Sequence, residues 1–360
     1  MNPKRTVVAM SGGVDSSVTA VLLKERGFDI TGITMQIWER SEGWGGCCSL
    51  DSIEDAKRVA DGLGIPHYVL NFRDIFREKV IANFCEEYRE GRTPNPCIRC
   101  NQYIKFDALI KKAKEMDARY LATGHYARIE YDNQSKRYLL KKGVDSQKDQ
   151  SYVLYVMTQE QLRQTLMPLG NLTKNQVREI AKEKELPVAN KPESQEICFI
   201  PDENYREFLK KFIPESVMPG PILDNEGKII GEHQGIGFYT VGQRKGIGIA
   251  DKKPLYVIAI DKERNSIIVG REKDVYGNEL IANDVNYIAM AGLKEPIKVD
   301  AKIRYLHQAS PALVIPLNKS KVKVKFEKPQ RAITPGQAVV FYDKDNVVGG
   351  GTILQANGNS

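Results

Sequence analysis

The sequence predicts an N-terminal α/β domain built on a parallel sheet, followed by small central and C-terminal β-barrel domains. Three observations carry this reading. Short apolar runs alternate with amphipathic helical patterns up to residue 125. Helix signals fade from Pro214 onward. Short β-rich segments punctuated by turn residues then take over, as in small barrels.

The elements follow in order. Residues 6–10 form a buried strand, 11–17 a loop, and Val18, Val21 and Leu22 recur at helical spacing up to the helix stop Gly27. A second strand covers 30–38. Asp51 opens a helix with Ile53, Ala56, Val59, Ala60 and Leu63 on one face, ended by Gly64. A third strand covers 67–72, helices cover 73–89 and 101–116, and a fourth strand covers 120–125. A hairpin is expected at 128–142 around Asp132-Asn133-Gln134, then helical stretches at 151–166 and 173–184. Strands are expected at 228–230, 237–240, 256–261, 266–269, 297–304, 321–327 and 337–342. The resulting division is 1–212 for the catalytic domain, 213–283 for a central β-rich domain, 284–355 for a C-terminal barrel and 356–360 for a frayed tail.

The 360 residues are 41% hydrophobic and 28% charged, which is globular composition and excludes a disordered chain. No apolar run approaches the ~20 residues of a membrane-spanning helix. The apolar stretch after Arg5 is too short for a secretory leader, so the chain is expected in the cytoplasm with no membrane partner. Its 53 basic and 46 acidic residues give a net charge of +7, which permits a polyanionic partner without requiring one. Six cysteines stand at 47, 48, 85, 97, 100 and 198. In a reducing compartment these are thiols, metal ligands or catalysts rather than a disulfide framework. Cys85 lies in a helical pattern and is expected in the core. Cys47 and Cys48 lie in a Gly-rich loop and receive no role.

The segment Ser11-Gly12-Gly13-Val14-Asp15-Ser16-Ser17 lies between a strand and a helix. Glycines let backbone approach a phosphate closely, with Gly13 expected to take a positive φ or to touch the phosphate itself. The helix N-terminus adds unpaired N–H groups, and the three serines add hydroxyl donors. Asp15 would repel a bare phosphate, so Mg²⁺ or the loop backbone is its expected partner. This segment resembles the PP-loop of ATP pyrophosphatases, with the pattern SGGxDSS, and lacks the Gly-Lys-Ser/Thr of a Walker loop. The resemblance implies an adenine-nucleotide-hydrolase-like fold that cleaves ATP between its α and β phosphates. It carries the nucleotide site to Ala9, Met10, Ser11, Gly12, Gly13, Val14, Asp15, Ser16, Met35 and Gly124.

Further strings match a narrower group. TPNPxxxCNxxIKF (93–106), TGHYA (123–127), KDQSY (148–152), SQEICF (194–199) and YTVGQRKG (239–246) fall in order along most of the chain. Together they resemble the tRNA-specific 2-thiouridylase family. The resemblance implies ATP-dependent 2-thiolation of the wobble uridine U34 through an adenylated C2 oxygen, with AMP and pyrophosphate as products. Cys198 then carries sulfur as a persulfide, and Cys100 is the second catalytic thiol. Asn95, Pro96 and Cys97 face the target base, and His125, Lys148, Asp149, Gln150, Arg304, Tyr305 and Gln337 contact the tRNA anticodon stem-loop. A cysteine desulfurase, a sulfur-relay protein or free sulfide supplies the sulfur.

One departure stands out. The family usually has Asp where this chain has Cys97, so a CxxC replaces DxxC. Cys97, Cys100 and Cys198 then offer three ligands for a [4Fe–4S] cluster with an open iron. Zinc with His125 as fourth ligand, and persulfide chemistry with Cys97 a bystander, are the other readings. Two other functions compete: a different PP-loop ligase, and a non-enzymatic RNA-binding or iron–sulfur carrier protein.

Overall fold

The computed structural model describes residues 4–38, 50–193, 197–200 and 205–358. By contact the chain divides into two compact units. One comprises Met1–Val80, Cys97–Glu203 and Asp345–Val347, the other Ile81–Pro96, Asn204–Lys344 and Val348–Ser360. Among the described residues no helix is long and apolar enough to cross a membrane.

The first unit holds strands β1 (Arg5–Ala9), β2 (Asp29–Gln36), β3 (His67–Asn71) and β4 (Tyr120–Ala122), the hairpin β5 (Ala127–Asp132) and β6 (Arg137–Lys142), and β7 (Thr165–Leu166). Five of them form a parallel sheet in the order β3-β2-β1-β4-β7. Chain order therefore reverses between β1 and β4. Open α/β sheets bind ligands at such a switch point, outside the carboxyl ends of the strands. The helix Val14–Glu25 turns Val14, Val18 and Val21 inward. There they meet Ala56, Val59 and Ala60 from Leu50–Leu63, and Val177 and Ala181 from Lys174–Glu183, in one buried cluster. Apolar burial of this kind contributes about 1.5–3 kcal/mol for each large side chain, so the crevice between β1 and β4 has a fixed floor.

Two features differ from expectation. Residues 151–166 are not one helical stretch: a 3-10 turn Ser151–Leu154 and a helix Gln159–Arg163 lead into β7, which pairs with β4 at Leu121 and Ala122. A strand of two residues is too short to show a period-2 pattern. The helical stretch expected at 73–89 also divides by contact, its portion from Ile81 clustering with the second unit.

In the second unit β8 (Gly220–Leu223), β9 (Ile229–His233), β10 (Tyr256–Asp261) and β11 (Ser266–Gly270) form a sheet in the order β10-β11-β8-β9. The segment Ile81–Pro96 belongs here. Phe84 meets Phe208 edge-on at 5.7 Å, Arg89 pairs with Glu215, and Thr93 donates its N–H to the Pro335 carbonyl. Strands β12 (Tyr276–Tyr287), β13 (Ile297–Lys302), β14 (Ser310–Pro316), β15 (Val322–Arg331), β16 (Ala338–Asp343) and β17 (Asn346–Gly358) follow. They run in the order β12-β15-β14-β13-β16-β17, and β12 pairing with β17 closes the barrel. Closure removes the unpaired edges on which strands aggregate. Val322, Val324 and Phe326 face the interior, while Lys323 and Lys325 between them reach Glu279 at 2.7 and 2.9 Å.

The sequence missed β8, β12, β14 and β17, and the strand expected at 237–240 is a 3-10 turn, Ile236–Phe238. The tail expected at 356–360 is also corrected. β17 continues to Gly358, with Ala356 opposite Leu280 and Asn357 opposite Glu279. Backbone pairing to β12, rather than side-chain pattern, orders these residues.

All four histidines are held below the ordinary value of 6.5, in each case first by burial. A lowered folded pKa means that the unfolded chain takes up the extra protons, so stability is lost as pH falls through 6.5. Carboxylates titrate lower, which leaves this window to histidine. The urea midpoint should therefore drop between about pH 7.5 and pH 5.5, with buried His125, whose pKa is lowered furthest, contributing most. His125→Gln should shrink the drop; an equal midpoint at both pH values would refute the assignment.

Candidate active site

The loop after β1 is shaped by its own residues. Gly12 has φ +68°, and a Cβ there would lie 2.0 Å from the Ser52 carbonyl oxygen. Gly13 is extended, at φ −101° and ψ 166°, and a Cβ on it would meet only Ser11 Oγ at 3.5 Å. The positive φ expected at Gly13 thus belongs to Gly12. Ser16 and Ser17 hydroxyls both donate to the Gly13 carbonyl, at 3.1 and 2.9 Å, and Ser11 N–H donates to Ser16 Oγ at 3.2 Å. These hydroxyls fold the loop and leave backbone N–H groups at the helix start for an anion. Met10 and Val14 are buried beneath it, and the Met10 carbonyl accepts from Thr34 Oγ1 at 2.7 Å. Ala9 and Met35 are half-buried, at or near the carboxyl ends of β1 and β2. Gly124, just past β4, is pressed on the loop: a Cβ would be 2.9 Å from Asp15 C and 3.0 Å from Ser16 N.

Asp15 is paired within the protein. Lys174 Nζ donates to both carboxylate oxygens, at 2.7 and 2.9 Å, and the Tyr126 hydroxyl donates to Oδ1 at 2.7 Å. Burial, then the charge and hydrogen bond of Asp15, push the Tyr126 phenol far above its ordinary pKa, so it stays a donor. Lys174 also reaches Glu193 Oε1 at 3.1 Å, and Glu193 Oε2 accepts from Lys148 at 2.7 Å. On the other side of the loop, Lys191 Nζ donates to the Gly12 carbonyl at 3.1 Å and to Asp55 Oδ2 at 2.6 Å. Sequence reasoning assigned no role to Tyr126, Lys174, Lys191 or Glu193. Tyr126 lies in the string TGHYA, and Lys174 carried a local signal of another kind. Thr173 and Gln176 form a capping box, which fixes Lys174 at the first position of its helix.

Cys97, Cys100 and Cys198 lie in the same unit. A helix begins at Pro96, five residues earlier than expected, because proline suits the first helical position. It runs as Pro96–Arg99, a π-type wide turn Cys100–Ala108, and Leu109–Glu115. Wide turns of this kind recur at functional sites. Cys97 is exposed and Cys100 half-buried, and spacing by three sets them on one face. Asn101 anchors the turn, donating to the Val153 carbonyl at 3.0 Å. Cys198 is half-buried, and the next residue, Phe199, is buried 5.5 Å from Phe76 and 6.3 Å from Trp38 between ring centroids. None of the described cysteines is in a disulfide. Burial pushes the Cys85 thiol up to about 11, which fits its expected place in the core. Cys47, Cys48, Ser194, Gln195 and Glu196 lie outside the described residues.

Among the described residues no three His, Cys, Asp or Glu side chains gather as a group that could hold a metal ion. His125 is not a fourth zinc ligand either. It is buried, with Thr123 Oγ1 at 2.8 Å from Nδ1 and Lys105 Nζ at 3.5 Å from Nε2. An ammonium only donates, so Nε2 accepts and Nδ1 carries the proton. Burial, then Lys105, lower its pKa accordingly.

Several residues expected at tRNA hold the protein itself. Asp149 is buried and accepts from Gly143 N–H, Ser151 N–H and Ser151 Oγ. Gln150 Oε1 accepts from Tyr126 N–H at 3.0 Å. In the second unit Gln337 Nε2 donates to the carbonyls of Thr93 and Pro94, at 2.9 and 3.1 Å, fixing the approach to Asn95 and Pro96. Arg304 donates to the carbonyls of Arg331 and Ala332, and Lys302 lies 5.8 Å from the centroid of the Tyr305 ring.

These contacts separate the glycines by role. Gly12→Ala and Gly124→Ala should weaken ATP binding by about tenfold or more, since each Cβ strikes backbone of the loop or its support. Gly13→Ala should keep the parent's thermal midpoint, and any loss of ATP affinity then reports close approach of phosphate alone. Calorimetric titration with ATP checks this; parent-like affinity in Gly12→Ala would remove the loop from the nucleotide site.

Comparison with known proteins agrees with this geometry. Residues 4–202 match the model of the tRNA methyl transferase HUP domain, 206–271 that of the tRNA methyl transferase PRC-barrel domain, and 277–353 that of the aminomethyltransferase beta-barrel domain. The tRNA-specific 2-thiouridylase MnmA of Desulforamulus reducens is 55% identical over 355 residues, covering 97% of each chain. That of Heliobacterium modesticaldum is 58% identical over 354 residues, covering 97% of this chain and 92% of its own. That of Acetivibrio thermocellus is 54% identical over 358 residues, covering 98% and 100%. Identity of this order along nearly the whole of both chains, with the loop and the thiols in place, makes this chain a member of the tRNA-specific 2-thiouridylase family.

Proposed function

We propose that this chain replaces the C2 oxygen of the wobble uridine, U34, of tRNA with sulfur, using ATP and Mg²⁺. The observation that carries the reading is a phosphate loop at the sheet's switch point in the same unit as Cys100 and Cys198, in a chain matched end to end by 2-thiouridylases. Another PP-loop ligase would need neither the two thiols nor the second unit, and a carrier protein would need no phosphate loop.

The chemistry follows from the carbonyl. An amide-like C2=O resists thiolysis because its oxygen is a poor leaving group. Attack of that oxygen on the α-phosphate of ATP expels pyrophosphate and leaves an adenylate. The loop N–H groups and Lys174 favour the charge that develops on the phosphates. Asp15 would hold Mg²⁺ when ATP is bound, and the ion would shield the phosphate charge. The terminal sulfur of a persulfide on Cys198 attacks C2, and AMP departs with the former carbonyl oxygen. Cys100 thiolate then attacks Cys198 Sγ, and the released electron pair leaves the thiocarbonyl on the base and a Cys100–Cys198 disulfide on the protein. An external thiol reductant restores the pair, and a desulfurase, a relay protein or sulfide reloads Cys198. The scheme needs no [4Fe–4S] cluster, and the absence of a three-donor metal-ion group among the described residues favours the persulfide route. Cys97, exposed on the first turn, is a bystander thiol near the base. The reading keeps Asn95 and Pro96 at the base, and Arg304 and Tyr305 at the tRNA backbone. It also keeps a cytoplasmic location and the three-part division into 1–212, 213–283 and 284–355, which the ranges of the three matched models support.

Cys198→Ala and Cys100→Ala should each lose thiolation by about 10³-fold or more, as removal of a covalent catalyst does, while a burst of pyrophosphate from unmodified tRNA persists. Cys97→Ala should retain thiolation within a few fold in iron-free protein supplied with a persulfide donor. Thiolation that requires iron and Cys97 would replace this reading with the cluster mechanism.

A further inference from the structure

Lys174 is poorly placed for a lysine that merely stabilises its helix. It occupies the first position of Lys174–Glu183, and its own N–H is held by Asp145 Oδ2 at 2.9 Å. A cation there opposes the helix dipole. Its side chain is only 9% exposed, so the ammonium also carries a desolvation penalty. Two carboxylates offset these costs, Asp15 and Glu193. With Lys148 they form an alternating chain of charges, Asp15–Lys174–Glu193–Lys148, whose contacts run from 2.7 to 3.1 Å.

The two ends of this chain belong to different parts of the chemistry. Asp15 is in the phosphate loop. Glu193 stands five positions before Cys198. Lys191, two residues earlier, grips the Gly12 carbonyl at 3.1 Å, so residues 191 and 193 are both tied to the loop, the second through Lys174. Beyond Cys198, Phe199 is seated against Phe76 and Trp38. Burial pushes the Glu193 carboxyl up, but hydrogen bonds and charge from Lys148 and Lys174 more than offset it, so Glu193 is anionic at neutral pH.

We propose that Lys174 and Glu193 are positioning residues that couple the ATP site to the placement of Cys198. Lys174 has three N–H donors, so it can donate to a phosphate oxygen of ATP while keeping Glu193. A shift of its ammonium toward the polyphosphate is passed to Glu193, five positions before the thiol in the sequence. Adenylation and sulfur transfer are thereby timed by one buried cation. The inference rests on Cys198 as the sulfur carrier.

The test follows alkylation of Cys198 by iodoacetamide, read by peptide mass, with and without ATP. Buried Cys85 serves as the control for folded protein. In the parent, ATP should change the Cys198 rate by about fivefold or more, the lower range of coupling between two sites. Glu193→Gln should abolish that dependence. In single turnover it should keep the pyrophosphate burst within about twofold while thiolation slows about tenfold, a split that a general structural defect would not give. Glu193→Asp, which keeps the charge, should restore part of the ATP dependence and serves if the amide variant does not fold. The proposal is overturned if ATP leaves Cys198 alkylation unchanged in the parent. It is equally overturned if Glu193→Gln retains the parent's ATP dependence, or if burst and thiolation fall by the same factor. Full thiolation by Cys198→Ala would instead remove the sulfur-carrier reading, leaving the alkylation results to judge the coupling.

Discussion

A carboxylate sits inside a loop shaped to receive a polyphosphate, and the arrangement around it answers that conflict. Asp15 is met by the ammonium of Lys174 and the hydroxyl of Tyr126 before any ligand arrives. Isolated, such a charge would repel the substrate; paired, it holds the cation that the substrate needs. Gly124 presses β4's end against the same loop, and Lys191 braces it from the opposite side. The loop's shape, its charge and its links to distant segments therefore depend on one acidic residue being neutralised from elsewhere in the chain.

The thiols show how burial sorts identical side chains. Cys85 is enclosed and its thiol is pushed up to about 11, so it stays protonated and inert. Cys97 and Cys100 sit at the start of a helix, exposed and half-buried, and Cys198 is half-buried beside an aromatic anchor. The wide turn at Cys100–Ala108 shifts the register of the side chains that follow it, while Ile98, Asn101 and Phe106 remain buried and keep the helix seated. Reactivity here is a matter of which thiols the fold leaves within reach of water and substrate.

Much of this was legible in the sequence because it is local. The strand–glycine–helix pattern at 6–25 gave the phosphate loop, and alternation gave β10, β11, β13 and β16 nearly to the residue. The longest strands were harder. β12 is interrupted in its pairing at Gly277/Glu279 and again near Asn283, and such bulges break the alternation that would have revealed it. β17 is interrupted by three consecutive glycines, Gly349 to Gly351, whose lack of side chains breaks the alternation. The partners of Asp15 were invisible for a different reason: Tyr126 and Lys174 are 111 and 159 positions away. The roles expected for Asp149 and Gln150 rested on strings alone, and strings do not say that Asp149 is turned inward to hold Gly143 and Ser151.

Neither unit is a continuous piece of the chain. Residues 81–96 pack with segments that begin only at 204, and the barrel is closed by its last strand, from 348 onward. On the ribosome the early segment must therefore wait while 97–203 are made, roughly 5–20 s at usual elongation rates. During that interval Phe84 and Tyr88 have no aromatic partners from the later segment, and the Cys97–Cys100 pair leaves the exit tunnel before Cys198 exists. A nascent chain of this design therefore holds thiols and apolar rings without their later neighbours until translation passes residue 204.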